Sequence, residues 1–217
     1  MRTELCEDAL RLGRILAGLV PQEAEGHGLV ALMELHAPRP RARVTPSGQP
    51  ILLLDQDRAR WDQLLVLRGL SALARAEALS RPLGPYTLQA AIAACHARAR
   101  TGDETDWKRI VALYDALVGL THSPVVELNR AVAVAMAFGP AQGLALVDAL
   151  IDEPALRDYH LLPSVRGDLL VKLDRVDEAR VEFERAAAMA KNTRERGLLL
   201  ARAKACAGSP NDVSSWS

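Results

Sequence analysis

Apolar residues recur through this chain at helical spacing, in stretches of roughly 12–18 residues cut off by helix breakers. Trp107, Ile110, Val111, Tyr114, Leu117 and Val118 fall at i, i+3, i+4, i+7, i+10 and i+11. That is one face of a helix. Leu5, Ala9, Leu12, Leu16 and Leu19 repeat the pattern near the start. Val176, Ala179, Phe183, Ala186, Ala187 and Ala190 repeat it near the end. No run of alternating β-branched residues stands out, so strands are not expected. Pro21, Pro85, Pro124 and Pro140 each open an apolar stretch. A helix does not need the missing N–H there, and the fixed φ suits its first turn. Ser123 is a natural N-cap ahead of Pro124. Gly102-Asp103 and Asp152-Glu153-Pro154 read as turns. These signals predict an all-α fold of about ten helices, over residues 3–19, 22–36, 57–80, 85–99, 106–120, 124–137, 140–151, 157–173, 175–190 and 193–206.

A chain of 217 residues can build one domain with a substantial core, or two small ones. Its 27 Lys and Arg residues equal its 27 Asp and Glu residues. Zero net charge removes the simplest argument for DNA or RNA binding, which needs a basic face to displace counterions. Arg39, Arg41 and Arg43 form a local basic cluster that reads as a solvated loop. Cys6, Cys95 and Cys206 lie far apart and include no CxxC, which fits a reducing compartment without disulfides. The polar start, Met1 to Arg14, is not a signal peptide. No apolar run approaches the ~20 residues of a membrane span. A cytoplasmic protein without membrane contact is expected.

Residues 37–50 are rich in proline and arginine and lack periodicity. They suggest a loop that closes an N-terminal helical hairpin (1–50) and precedes a helical array (51–207), with a polar, disordered tail at 208–217. The last two hairpins of that array repeat at an interval of 36 residues, the step from Ala131 to Gly167. Val134 then matches Leu170, Gly143 matches Ala179, Val147 matches Phe183 and Leu150 matches Ala186. Small residues fall where the two helices of a hairpin must approach closely, and larger ones where the next hairpin must be covered. That size pattern is the physical content of a tetratricopeptide unit, whose usual period is ~34 residues. Gly167 and Ala179 are expected at the close crossing of the final hairpin. One more step back reaches Trp107, Val111 and Tyr114, with a looser match.

Little in the sequence suggests catalysis. Asp55-Gln56-Asp57-Arg58 invites a metal reading, but Mg²⁺ or Ca²⁺ needs more oxygen ligands than one DxD supplies. The simpler role for Asp55 or Asp57 is to cap the helix that carries Trp61. His27, His36, His96, His122 and His160 include no i, i+4 pair and no HExxH. Cys95 and His96 are adjacent, so they project in different directions from a helix. GxSxG, GxxxxGK(S/T) and GxGxxG are absent. No catalytic residue, metal ligand or cofactor is assigned, and a non-enzymatic role is expected.

A second class of polar residue is more suggestive. Gln89, Asn129, Arg130, His160 and Arg166 sit within helices otherwise rich in Ala, Val and Leu. A polar group on a packed helix must find a partner, inside the protein or in a ligand. One reading is inter-helix hydrogen bonding, with Asp168, on the helix of Arg166, or Asp115, on an adjacent helix, as the nearest acids for these arginines. The other is a polar interaction face on the concave side of the array.

Several segments, taken in order, resemble a known pattern. They are Leu5-Cys6-Glu7-Asp8-Ala9 with Leu12 and Leu16; Asp55-Gln56-Asp57-Arg58 with Trp61-Asp62; and Gly84-Pro85-Tyr86-Thr87-Leu88-Gln89-Ala90-Ala91-Ile92-Ala93 with His96. Asp106-Trp107 with Leu113-Tyr114-Asp115 follows, then Ser123-Pro124-Val125-Val126 with Asn129-Arg130-Ala131-Val132-Ala133. Gly139-Pro140 with Gly143-Leu144, Tyr159-His160-Leu161-Leu162-Pro163 with Arg166, and Asn192 with Glu195-Arg196 complete the series. Together they resemble the C-terminal, tetratricopeptide-like extension of a group of extracytoplasmic-function RNA polymerase sigma factors. The two sigma modules that begin such proteins are not in this sequence, so promoter recognition is assigned to no residue. The resemblance implies an excised domain or a split-gene product that regulates transcription initiation. Its implied partners are the N-terminal sigma modules and the RNA polymerase core, with no direct DNA binding by this chain. A free-standing scaffold or small-molecule sensor is the competing expectation.

Overall fold

The computed structural model describes residues 3–37, 42, 51, 53–80 and 82–207. The cluster of Arg39, Arg41 and Arg43, most of the proline-rich segment and the 208–217 tail lie outside the described residues. The chain forms ten α-helices among the described residues, and no strand. They are α1 (Thr3–Leu19), α2 (Ala24–His36), α3 (Gln63–Leu79), α4 (Pro85–Arg98), α5 (Trp107–Thr121), α6 (Pro124–Phe138), α7 (Pro140–Asp148), α8 (Leu161–Lys172), α9 (Val176–Met189) and α10 (Thr193–Ala207). The fold is an all-α array of helical hairpins, as the periodicity predicts.

Pro85, Pro124 and Pro140 are the first residues of their helices. Pro21 is not: it sits in the α1–α2 turn, and α2 starts at Ala24 with Glu23 as its cap. The long helix expected over 57–80 is interrupted because two aspartates cap in succession. Asp57 accepts from the Ala59 N–H at 3.0 Å and opens a single 3-10 turn, Arg58–Arg60. Asp62 accepts from the Leu64 and Leu65 N–H groups at 3.0 and 3.1 Å and opens α3. Ser123 occupies the N-cap position of α6 without a side-chain bond to the helix.

The helices form two compact units, 1–122 and 123–217, so the division falls at His122/Ser123 rather than near residue 50. The reason is α2, which packs on α3 and α4 as well as on α1. A Cβ on Gly69 of α3 would lie 2.8 Å from Leu35 Cγ of α2, and one on Gly28 of α2 would lie 2.4 Å from Thr87 Oγ1 of α4. These contacts need glycine, and they tie the expected N-terminal hairpin into the first unit. α1 buries Leu10, Gly13 and Ala17, with Gly13 against Met33 and Val30 of α2. The leucine face that periodicity marks as its core side points the other way. Leu5, Leu12, Leu16 and Leu19 are between 46% and 75% exposed.

In the second unit, α6 and α7 are joined by Gly139 alone, at φ 114°, a conformation that favours glycine. α8 and α9 turn through Asp174, at φ 59°, a left-handed position that aspartate tolerates. Joints this short force each pair into an antiparallel hairpin. A Cβ on Gly143 would lie 2.4 Å from Ala135 Cβ, and one on Gly167 would lie 2.7 Å from Phe183 Cε1. Both glycines therefore sit at tight helix crossings, one in each hairpin. Ala131, Val147, Ala179, Phe183 and Ala186 are all buried in one apolar cluster that also takes Leu199 and Ala203 from α10.

Candidate functional site

Of the polar residues marked by the sequence, Arg166 on α8 is the most firmly held. Its Nε donates to Asp148 Oδ1 of α7 at 2.8 Å, and its Nη1 donates to Glu182 Oε1 of α9 at 2.9 Å. Burial works against the guanidinium's charge, but Asp148 and Glu182 outweigh it and raise the pKa above its usual value. The acids expected for the arginines, Asp168 and Asp115, are not the ones Arg166 uses. Asp168 pairs instead with Arg202 of α10, and Asp115 belongs to the other unit. Arg166 thus links three consecutive helices of the second unit, with Arg185 adding a longer contact to Glu182 at 3.9 Å.

The other marked residues are placed less alike. His160, at the N-cap position of α8, lies 3.6 Å from Glu195 of α10. Arg130 of α6 meets Glu127 on its own helix at 3.6 Å. Asn129 is exposed on α6. Gln89 belongs to the first unit and donates to the Pro85 carbonyl one turn back, at 3.1 Å. His160 and Arg166 therefore share one helix and reach acids on three others, while Gln89 is not brought to them within a unit.

Two further polar junctions stand out, one at Glu25, which the sequence did not mark, and one at Arg58 of the Asp55–Arg58 motif. The Glu25 carboxylate of α2 accepts from the Tyr86 N–H at 2.7 Å, the Thr87 N–H at 3.1 Å and the Thr87 hydroxyl at 2.6 Å. It caps α4 from another helix, where Gly84 has no side chain to do so. Arg58 is buried and donates from Nη1 to the Ala99 and Thr101 carbonyls, and from Nη2 to Thr105 Oγ1 at 3.2 Å. Burial lowers its pKa, and nearby Glu104 partly counters this. The Asp55–Arg58 motif is thus a cap followed by a clip on the α4–α5 connection. Among the described residues no group of three or more His, Cys, Asp or Glu side chains could hold a metal ion.

Cys95 is buried, and burial followed by the charge of Asp106 pushes its thiol pKa up, away from the thiolate a nucleophile needs. The neighbouring His96 ring meets Trp107 edge-on, with centroids 5.3 Å apart. No described helix is long and apolar enough to cross a membrane.

Residues 1–77 match a family of unknown function, DUF6596. That segment runs from α1 almost to the end of α3. Over 211 residues, or 97% of its length, the chain is 44% identical to an uncharacterized protein of Rhizobium meliloti (strain 1021). It spans about half the length of that curated relative. No solved structure matches.

One exposed apolar feature of the first unit was legible in the sequence, but as a core face. Leu5, Leu12, Leu16 and Leu19, joined by Ile15 at 51% exposure, form an apolar face on α1 turned away from α2. Periodicity finds such a face, but cannot say whether the chain itself covers it.

Proposed function

We propose that this chain is a regulatory, protein-interaction domain of an alternative RNA polymerase sigma factor, non-catalytic and acting in the cytoplasm. It stands C-terminal to the sigma modules and controls initiation through them, the polymerase core or a signalling partner. The ordered series of motifs from Leu5 to Arg196 supports the family, and the exposed leucine face of α1 carries the interaction reading. Four leucines and an isoleucine in water lose favourable burial, of order 1.5–3 kcal/mol for each side chain a partner would fully cover. A partner that covers them has an apolar anchor of the kind interfaces use. The neutral net charge supports contact with protein rather than DNA.

The test is retention of the purified chain on immobilised sigma modules and on polymerase core. The native chain is retained, while Leu12→Glu/Leu16→Glu is lost without a fall in melting temperature, because both positions are exposed. A folded native chain that neither surface retains would overturn the reading. The competing role, a free-standing sensor or scaffold, draws support from a cationic cleft in the first unit. Coding DNA upstream of Met1 separates the two: an in-frame helix-turn-helix module supports the sigma reading.

A further inference from the structure

Three arginines line a cleft of about 500 Å³ among α1, α2 and α3, together with His27, Glu34 and Ser71. Arg14 Nε is committed to the buried Glu34 carboxylate at 2.7 Å. Arg68 has no hydrogen bond or ion pair among the described residues. Arg75 makes one long bond, from Nη2 to the Pro21 carbonyl at 3.4 Å. The same carbonyl lies 3.1 Å from His27 Nε2. It is an acceptor only, so that nitrogen carries the proton. Three guanidinium groups against one carboxylate leave a net charge of 3 − 1 = +2 with His27 neutral.

Arg68, Ser71 and Arg75 fall at i, i+3 and i+7 on α3, so they line one face of that helix. The two arginine Cα atoms are roughly 10 Å apart along the axis, and the long side chains can converge on a group between them. The serine hydroxyl between them is a further donor. An open hollow, two exposed arginines flanking a hydroxyl on one helix face, and unspent positive charge are elements of a small-molecule anion site.

We propose that this cleft binds a small soluble ligand through a phosphate monoester group. Arg68 and Arg75 grip the phosphate oxygens, Ser71 donates a hydrogen bond, and the Arg14–Glu34 pair forms the inner wall. A phosphate monoester carries about −1.5 to −2 at neutral pH, which matches the cleft's net charge. A single carboxylate leaves one cation uncompensated. The guanidinium fork suits phosphate oxygens in pairs, which a lysine ammonium would not. The proposal concerns the first unit alone and stands independently of the sigma-factor reading.

The test is calorimetric titration of the whole chain with glycerol 3-phosphate, inorganic phosphate and succinate at matched ionic strength. Vesicles containing phosphatidic acid provide the headgroup arm. Saturable binding of glycerol 3-phosphate is expected with Kd below about 1 mM. Arg68→Ala/Arg75→Ala weakens it about tenfold or more at unchanged melting temperature, since neither side chain holds a strong internal bond. Ser71→Ala weakens it less, and Arg180→Ala/Arg194→Ala, outside the cleft, leaves it intact. No saturable binding below about 10 mM, or equal loss in the two arginine double variants, overturns the site. Succinate binding as tightly as the ester overturns the choice of phosphate. Binding to vesicles without binding to the soluble ester overturns the small-molecule assignment.

Discussion

Gly167 and Phe183 are one half of a size exchange, and Ala131 and Val147, a repeat earlier, are the other. In the final hairpin the floor is glycine and the covering side chain a phenyl ring. In the preceding one the floor is alanine and the cover valine, both fully buried. A Cβ on Gly167 would sit 2.7–3.0 Å from three atoms of the Phe183 ring, which is 1% exposed and has nowhere to move. Gly167→Ala should therefore cost about 1–3 kcal/mol by overpacking. Phe183→Val should cost about 2–4 kcal/mol through the cavity it leaves. The double variant rebuilds the earlier pairing, so its loss should be smaller than the sum by about 1 kcal/mol or more. Additive losses in denaturant melts would show that the two hairpins do not share one packing rule. Arg166 offers a second test at this scale. Glu182 is buried between Arg166 and Arg185, whereas Asp148 is 43% exposed. Glu182→Ala removes the more buried partner, leaves Arg166 the exposed Asp148 alone, and should cost about 1 kcal/mol or more. Asp148→Ala, screened by water, should cost less than about 1 kcal/mol. If Arg166→Ala lowers the melting temperature while retention on polymerase is unchanged, Arg166 is a strut between helices and not a recognition residue.

At the scale of elements, helix starts were legible because their signals are local. Pro85, Pro124 and Pro140 open helices, whereas Pro21, with the same local signal, falls in the α1–α2 turn. The break before α3 was also written locally, in Asp62, but the continuous apolar pattern from Leu64 onward masks it. What a single helix cannot announce is its partner. α1 shows two apolar stripes, and the packing of Leu10, Gly13 and Ala17 toward α2 decides which is inside. The acids that hold Arg166 and the three helices that line the cationic cleft come from separated segments. No spacing rule connects them. The α4 cap is the clearest case, since Gly84 looks like a poor cap until Glu25 arrives from α2. Glu25→Ala removes three hydrogen bonds from the α4 N-terminus and should cost about 1–2 kcal/mol. Gly84→Ser should destabilise the native chain, because a Cβ there meets Glu25 Cδ at 2.4 Å. In the Glu25→Ala background that space is empty, and Gly84 already has the extended backbone of an N-cap, at φ −81° and ψ 176°. The same Gly84→Ser change should then raise the melting temperature. An unchanged sign across the two backgrounds would remove Glu25 from the capping role.

At the scale of the whole molecule, the two ways of dividing the chain make opposite predictions. Proline-rich composition suggests a cut near residue 50, whereas the packing of the backbone divides the chain at His122/Ser123. A fragment of residues 123–207 has 207 − 122 = 85 residues and keeps the whole apolar cluster from Leu128 to Ala203. It also keeps the Arg166 node. Domains of this size can fold alone when their core is intact. The fragment should therefore be helical by far-ultraviolet circular dichroism and should melt cooperatively. A fragment of residues 51–207 is nearly twice as long but lacks α1 and α2. It leaves Gly69 without Leu35, α4 without the Glu25 cap and Thr87 without Gly28. Its added helices, α3 to α5, then lack α2, on which α3 and α4 both pack in the intact chain. The longer fragment should show less helix per residue than the shorter one, and a broad first transition or aggregation on heating. The reverse order, with 51–207 cooperative and 123–207 unfolded, would restore the boundary near residue 50. Composition marks where a chain can be cut without breaking a helix. Only the partners of α2 decide whether that cut leaves a core behind.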